Sequence, residues 1–222
     1  MPSTVEPVYL ELGRRRVFVC SLNWPGWARS GKSVDDALAT LAGAAPRYGI
    51  VASEAGIPFP ARDGSTFDVV ERLPGSGGTD FGAPMAIPGV DGAPIDRSEA
   101  RRLASLVAAA WTTLDQVVAT APAELRKGPR GGGRDRDKIA GHVLAAEVEY
   151  ARKLGLRLRQ PPYDDPAAVS AFREAILAAL AGESTNRGSA GSKNPPWPVP
   201  YAARRIAWHT LDHAWEIEDR SA

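Results

Sequence analysis

The sequence predicts an α+β protein of two domains, a small β-β-α-β module followed by a four-helix bundle. Three observations predict it. Short β-prone runs gather in residues 8–73. Apolar residues recur at spacings of three and four through residues 97–220. Between them, about half of the residues from Pro74 to Pro94 are Gly or Pro, with no hydrophobic period. Strands in one half and helices in the other argue for separate units rather than one interleaved sheet. The expected boundaries are residues 1–73, a linker over 74–96 and the helical part over 97–222.

Composition narrows the function classes. The 222 residues carry a formal charge of +1, which argues against a nucleic-acid binder that works by bulk electrostatics. Eight basic residues face eleven acidic ones over 1–96, and nineteen face fifteen over 97–222, so the small basic excess lies in the second half. No membrane association is expected, because no apolar run approaches the ~18 residues of a span. The first twenty residues do not read as a signal peptide. The lone Cys20 excludes an internal disulfide and reads as a small core hydrophobe. A cytoplasmic protein is the expectation.

In the first half, Val8–Leu12 and Arg16–Cys20 flank Gly13-Arg14-Arg15 and give a hairpin signal. Ser33, with Asp36 three residues on and an apolar stripe of Val34, Leu38, Leu41, Ala42 and Ala45, marks a helix start. Val69-Val70 is the expected third strand. Residues Gly26–Ser33 also fit G-x-x-x-x-G-K-[ST], the phosphate-loop pattern. No later apolar strand ends in a magnesium-holding Asp, and the preceding strands form a hairpin rather than a βαβ unit. A nucleotide site is therefore not expected.

Two strands, then Asn23-Trp24-Pro25-Gly26, a polar stretch, Gly31 and Ser33-Val34-Asp35-Asp36-Ala37 resemble the HicB-like domain of toxin–antitoxin antitoxins. The resemblance covers about residues 8–52. It implies a β-β-α-β module related to RNA-associated folds, which contacts RNA or protein, or gates a substrate.

In the second half, stripes run from Leu103 to Val118, Ile139 to Leu154, Val169 to Leu180 and Ile206 to Ile217. The connections at about 122–135 and 184–200 are long for a minimal bundle. All three histidines of the chain fall within these stripes. His209 and His213 are four apart, on one helix face, with Cβ atoms about 5–6 Å apart. That spacing lets two imidazoles chelate one ion, and His142 from a facing helix would supply a third ligand and leave a position open. Neutral ligands leave the ion's charge uncancelled, so a bound water or thiol loses its proton near neutral pH.

Ile139-Ala140-Gly141-His142-Val143-Leu144-Ala145-Ala146-Glu147 and His209-Thr210-Leu211-Asp212-His213 resemble the DinB/YfiT-like metalloproteins over about residues 97–220. The resemblance implies a metal triad of His142, His209 and His213. It also implies a divalent ion, with zinc, nickel or iron expected, and a chemistry of thiol S-transfer, isomerisation or hydrolysis with a low-molecular-weight thiol as a cofactor in some relatives. Glu149 and Glu216 are expected to support ligand imidazoles or accept a proton. The basic run through Arg126, Lys127, Arg130, Arg134, Arg136 and Lys138 reads as a solvated loop, with an anionic substrate or RNA as the alternative. The expected function is a metal-dependent enzyme acting on a small-molecule substrate, with a homodimer and an RNA or protein contact through the first module admitted as partners. The alternative is a non-catalytic binding or regulatory protein.

Overall fold

The computed structural model describes residues 5–60, 66–128, 132–183 and 195–221. The central part of the second long connection, 184–194, lies outside them. Strands β1 (Glu6–Leu12), β2 (Val17–Ser21), β3 (Ala28–Gly31) and β4 (Phe67–Pro74) form one mixed sheet in the order β3-β2-β1-β4. β1 and β2 make the expected antiparallel hairpin, Val8 opposite Ser21 and Leu12 opposite Val17, while β4 runs parallel to β1. Helices α1 (Val34–Gly43) and α2 (Ala45–Glu54) follow β3.

The first half is thus β-β-β-α-α-β rather than β-β-α-β. β3 escapes a pattern search because Ala-Arg-Ser-Gly has neither β-branched nor aromatic residues, and its pairing with β2 alone makes it a strand. It also explains the phosphate-loop match. Gly31 ends the strand so close to α1 that a Cβ there would collide with Ala37 N. Ser33 Oγ accepts from Asp36 N at 3.1 Å, and the Asp36 carboxylate accepts from Lys32 N at 2.7 Å. The amides that would cradle a phosphate are engaged in a cap, and Asp35 and Asp36 oppose an anion at that helix start.

Four long helices follow: α4 (Arg97–Thr120), α5 (Arg136–Lys153), α6 (Pro166–Leu180) and α7 (Val199–Ser221), each on its expected stripe. α7 packs most extensively against α4 and also contacts α5. α4 is long and apolar enough by length and composition to cross a membrane, which corrects the expectation that no such stretch exists. Half of its apolar window is buried inside the protein.

The boundary drawn at residues 74–96 divides the sequence but not the core. Val8, Leu10, Val19 and Trp27 share one buried cluster with Leu103, Ala110, Ile206 and Leu211. The other sheet face, Tyr9, Phe18, Cys20 and Ala28, closes on Trp208 of α7. A sheet covered on both faces reads as nearly continuous burial, as β2 does.

Residues 74–96 are a packed strap rather than a linker, with α3 (Gly77–Phe81) capped by Ser76 and Thr79 and a 3-10 turn at Gly89–Gly92. Glu11 on β1 is buried and accepts from Thr79 Oγ1, from Met85 N at 2.7 Å and from Ala86 N at 2.8 Å. Glu71 accepts from Gly89 N, Tyr201 OH donates to Met85 O, and Asp91 pairs with Arg204 of α7. Removing the Glu11 carboxylate strands three donors. Glu11→Ala should cost about 2–4 kcal/mol in urea unfolding and speed proteolysis within 74–96. Unchanged stability and cleavage would show that the strap is not held by this residue.

Candidate metal centre

α5 and α7 present the three histidines to one another. Ring centroids of His142 lie 5.1 Å from those of both His209 and His213, and the two α7 rings are 4.7 Å apart. The rings stand edge to face, at 69°, 86° and 84°, and one nitrogen from each lies within 4.8 Å of the others. Tetrahedral coordination with nitrogens about 2.0–2.1 Å from an ion separates them by roughly 3.3 Å. Small rotamer changes supply that contraction.

His209 is buried, and its Nδ1 has no hydrogen-bond partner. A buried imidazole nitrogen left bare is uncommon and fits a metal ligand. Burial, reinforced by His213, Arg205 and His142, pushes His209 down to about 2; burial and then His213 also lower His142. Both rings are therefore neutral at pH 7, the form that binds metal. The Nδ1 of His213 lies 2.9 Å from Glu216 Oε2. A carboxylate accepts, so Nδ1 carries a proton in this contact, and Nε2 is the nitrogen left for another partner. The hydrogen bond from His213, with help from Arg220 at 2.6 Å, holds Glu216 below the usual carboxylate range.

The sequence-based residues divide clearly. His142, His209, His213 and Glu216 come together. Glu149 does not join them: seven residues carry it about 10.5 Å along the helix, where its exposed carboxylate bonds Arg152 at 2.5 Å. In the basic run, Lys127 pairs with Asp135, Arg136 pairs with Asp137 and donates to Ala121 O, and Arg126 donates to Asp219 O. Arg126 N also bonds Arg220 O, so the loop docks on the end of α7 beside Glu216. Arg130 lies outside the described residues. Cys20 is buried with its thiol pushed up to about 12, unfit as a nucleophile at neutral pH.

Three neighbours of the triad, Tyr150, Trp208 and Arg205, carry no sequence signal of their own. Tyr150 sets its ring 5.8 Å from His209, and Trp208 sets its ring 6.1 Å away. Arg205, one turn before His209, lies over Tyr150 and Trp208. On an amphipathic stripe such residues look like ordinary core or snorkelling side chains.

A separate groove of about 570 Å³ opens between α4, α5 and α6, lined by Trp111, Leu144, Tyr163 and Arg173 among others and by no histidine. Behind it, Glu147 is buried, and burial pushes it up to about 7 against the opposing pull of Arg173. Arg173 is satisfied mainly by Asp115, at 2.8 Å.

Purified protein should carry one divalent ion per chain by elemental analysis. His213→Ala should lower metal affinity at least 10-fold and Glu216→Gln about 10-fold, with helical circular dichroism retained. A triple-Ala variant of the histidines that keeps stoichiometric metal would eliminate the site. Glu147 gives a pH prediction of definite sign. Its folded pKa of about 7 exceeds the ordinary 4.5, so the folded state holds an extra proton between them and loses stability as pH rises through that interval. Glu147→Gln should therefore stabilise the protein by about 1–3 kcal/mol at pH 8 and by little at pH 4. Equal effects at both pH values would contradict the assignment. No protein-family model, curated protein or solved structure matches this chain.

Proposed function

We propose that the protein is a metal-dependent enzyme of the DinB/YfiT-like kind, in which His142, His209 and His213 hold a divalent ion that serves thiol transfer or hydrolysis. The carrying observation is the convergence of three imidazoles from two helices, with one buried nitrogen left bare and another oriented by Glu216. Such a donor set suits zinc, nickel or iron. Bound there with an open coordination position, the ion supplies a lowered pKa to a thiol or water.

The chain's own residues supply the rest. His142 and His209 are neutral at pH 7, so ligation does not compete with protons. Glu216 fixes the His213 tautomer, and Arg220 holds Glu216 in place. The rings of Tyr150 and Trp208 lie against His209, which keeps the local dielectric low and strengthens charge effects at the centre. The sheet module, of HicB-like kind in this reading, covers the back of α7 through Trp208.

The test uses a small thiol and an alkylating dye. Zinc-loaded protein should accelerate saturable alkylation of 2-mercaptoethanol by monobromobimane at pH 6.5, where the free thiol is mostly protonated. In a parallel assay it should hydrolyse p-nitrophenyl acetate if water is the activated group. Chelation, or the triple-Ala variant, should return both rates to background. Equal rates with wild-type and triple-Ala protein would sink the catalytic reading.

A further inference from the structure

We propose that Arg205 is a carboxylate anchor, so that the molecule reacting at the histidine centre is a small acid bound through this guanidinium. The inference rests on the metal reading for where the reacting group sits. Its own support is independent of any ion.

Arg205 forms no ion pair among the described residues, whereas Arg204, its chain neighbour, is paired with Asp91 and also donates to Leu22 O. The Nη1 of Arg205 is buried with no hydrogen-bond partner. Arg204 Nε and Arg220 Nη2 are bare as well, but both of those guanidinium groups are neutralised by an acid, whereas the Arg205 charge is not, and an unpaired buried charge is the costlier case. Aromatic rings hold the group: Cζ lies 4.6 Å from the Trp208 centroid and 5.4 Å from that of Tyr150. Contacts of this kind engage the guanidinium through its π system, while its in-plane N–H groups are the ones suited to a planar acceptor. A carboxylate matches that fork with two parallel hydrogen bonds.

Location ties the anchor to the centre. Arg205 precedes His209 by one helical turn, and the Tyr150 ring that it overlies meets His209 edge-on. Glu216, the acid bonded to the triad, is already bonded to His213 and Arg220. An acid bound through Arg205 would reach the triad from the side of the Tyr150 ring, which meets His209 edge-on.

The experiment compares 4-mercaptobutyrate with its uncharged match, 4-mercaptobutan-1-ol, on cobalt-loaded protein, following the visible cobalt spectrum. In wild type the acid should bind at least 10-fold tighter than the alcohol. Arg205→Gln should erase that preference while leaving the alcohol's affinity and the cobalt stoichiometry unchanged, and Arg205→Lys should keep part of it. Equal binding of the two thiols by wild type, or a preference that survives in Arg205→Gln, overturns the proposal. A second arm needs no metal. Butyrate should shift the indole N–H resonance of Trp208, assigned with Trp208→Phe, saturably in metal-free wild type and not in Arg205→Gln, while butan-1-ol should leave it in place. If cobalt fails to bind, the metal reading falls, and this titration alone decides the anchor: an Arg205-dependent shift sustains it and no shift removes it.

Discussion

Helix α7 is held from several directions at once, and the arrangement of the protein follows from how it is held. Trp208 meets Phe18 of the sheet edge to face at 5.9 Å, Arg204 pairs with Asp91 of the strap, and Ile206 and Leu211 enter the core shared with α4. Even the turn after β2 takes part. Gly26, at φ 91°, lies so near that a Cβ would reach Leu211 at 2.6 Å. With so much of its surface committed, α7 cannot rotate about its axis without opening a cavity or burying an unpaired charge. That restriction holds His209 and His213 toward α5. The metal centre proposed for them would need ligands placed within about half an ångström by their support, and the whole back of the helix offers that support.

The same packing sets the electrostatics. Burial and mutual proximity make His142 and His209 neutral, and without an ion the cluster gains nothing from being close. Three imidazoles gathered edge to face, one nitrogen bare, are a poor way to fill a core that Leu or Phe would fill better. The cost makes sense if a ligand offsets it. Glu216 orients the His213 ring through Nδ1, and its other oxygen is bonded to Arg220, which holds the carboxylate in place.

Much of this was legible in the sequence, for physical reasons that differ by element. The four long helices follow from apolar spacing, since each needs one stripe to bury. The triad follows from His positions on those stripes, because i and i+4 share a face whatever the neighbours are. Glu216 was legible by the same geometry, at three residues from His213. Glu149, seven residues from His142, lies about two turns farther along its helix, where its carboxylate is exposed and bonded to Arg152. β3 depends on β2 for its existence, and no local propensity announces it. Residues 74–96 have a linker's composition, yet Glu11, more than sixty residues earlier, pins them. Contacts that distant leave no periodic trace.

The union of the two halves is the hardest feature to read from a chain, and it is what fixes the back of the histidine-bearing helix. Tyr9, Phe18, Cys20 and Ala28 look like one face of an ordinary hairpin, and Trp208 looks like one more apolar residue in a helix. Joined, they make Trp208 a fixed wall. The Trp208 ring also lies 6.1 Å from that of His209, and the Arg205 guanidinium packs over it. A guanidinium on a mobile side chain would lose much of its affinity for an anion to side-chain entropy. One held against two aromatic rings has largely lost that freedom before any ligand arrives, which is what preorganisation means for binding. The β module thus bears on the histidine cluster without adding a side chain to it, by fixing Trp208, against which Arg205 and His209 pack.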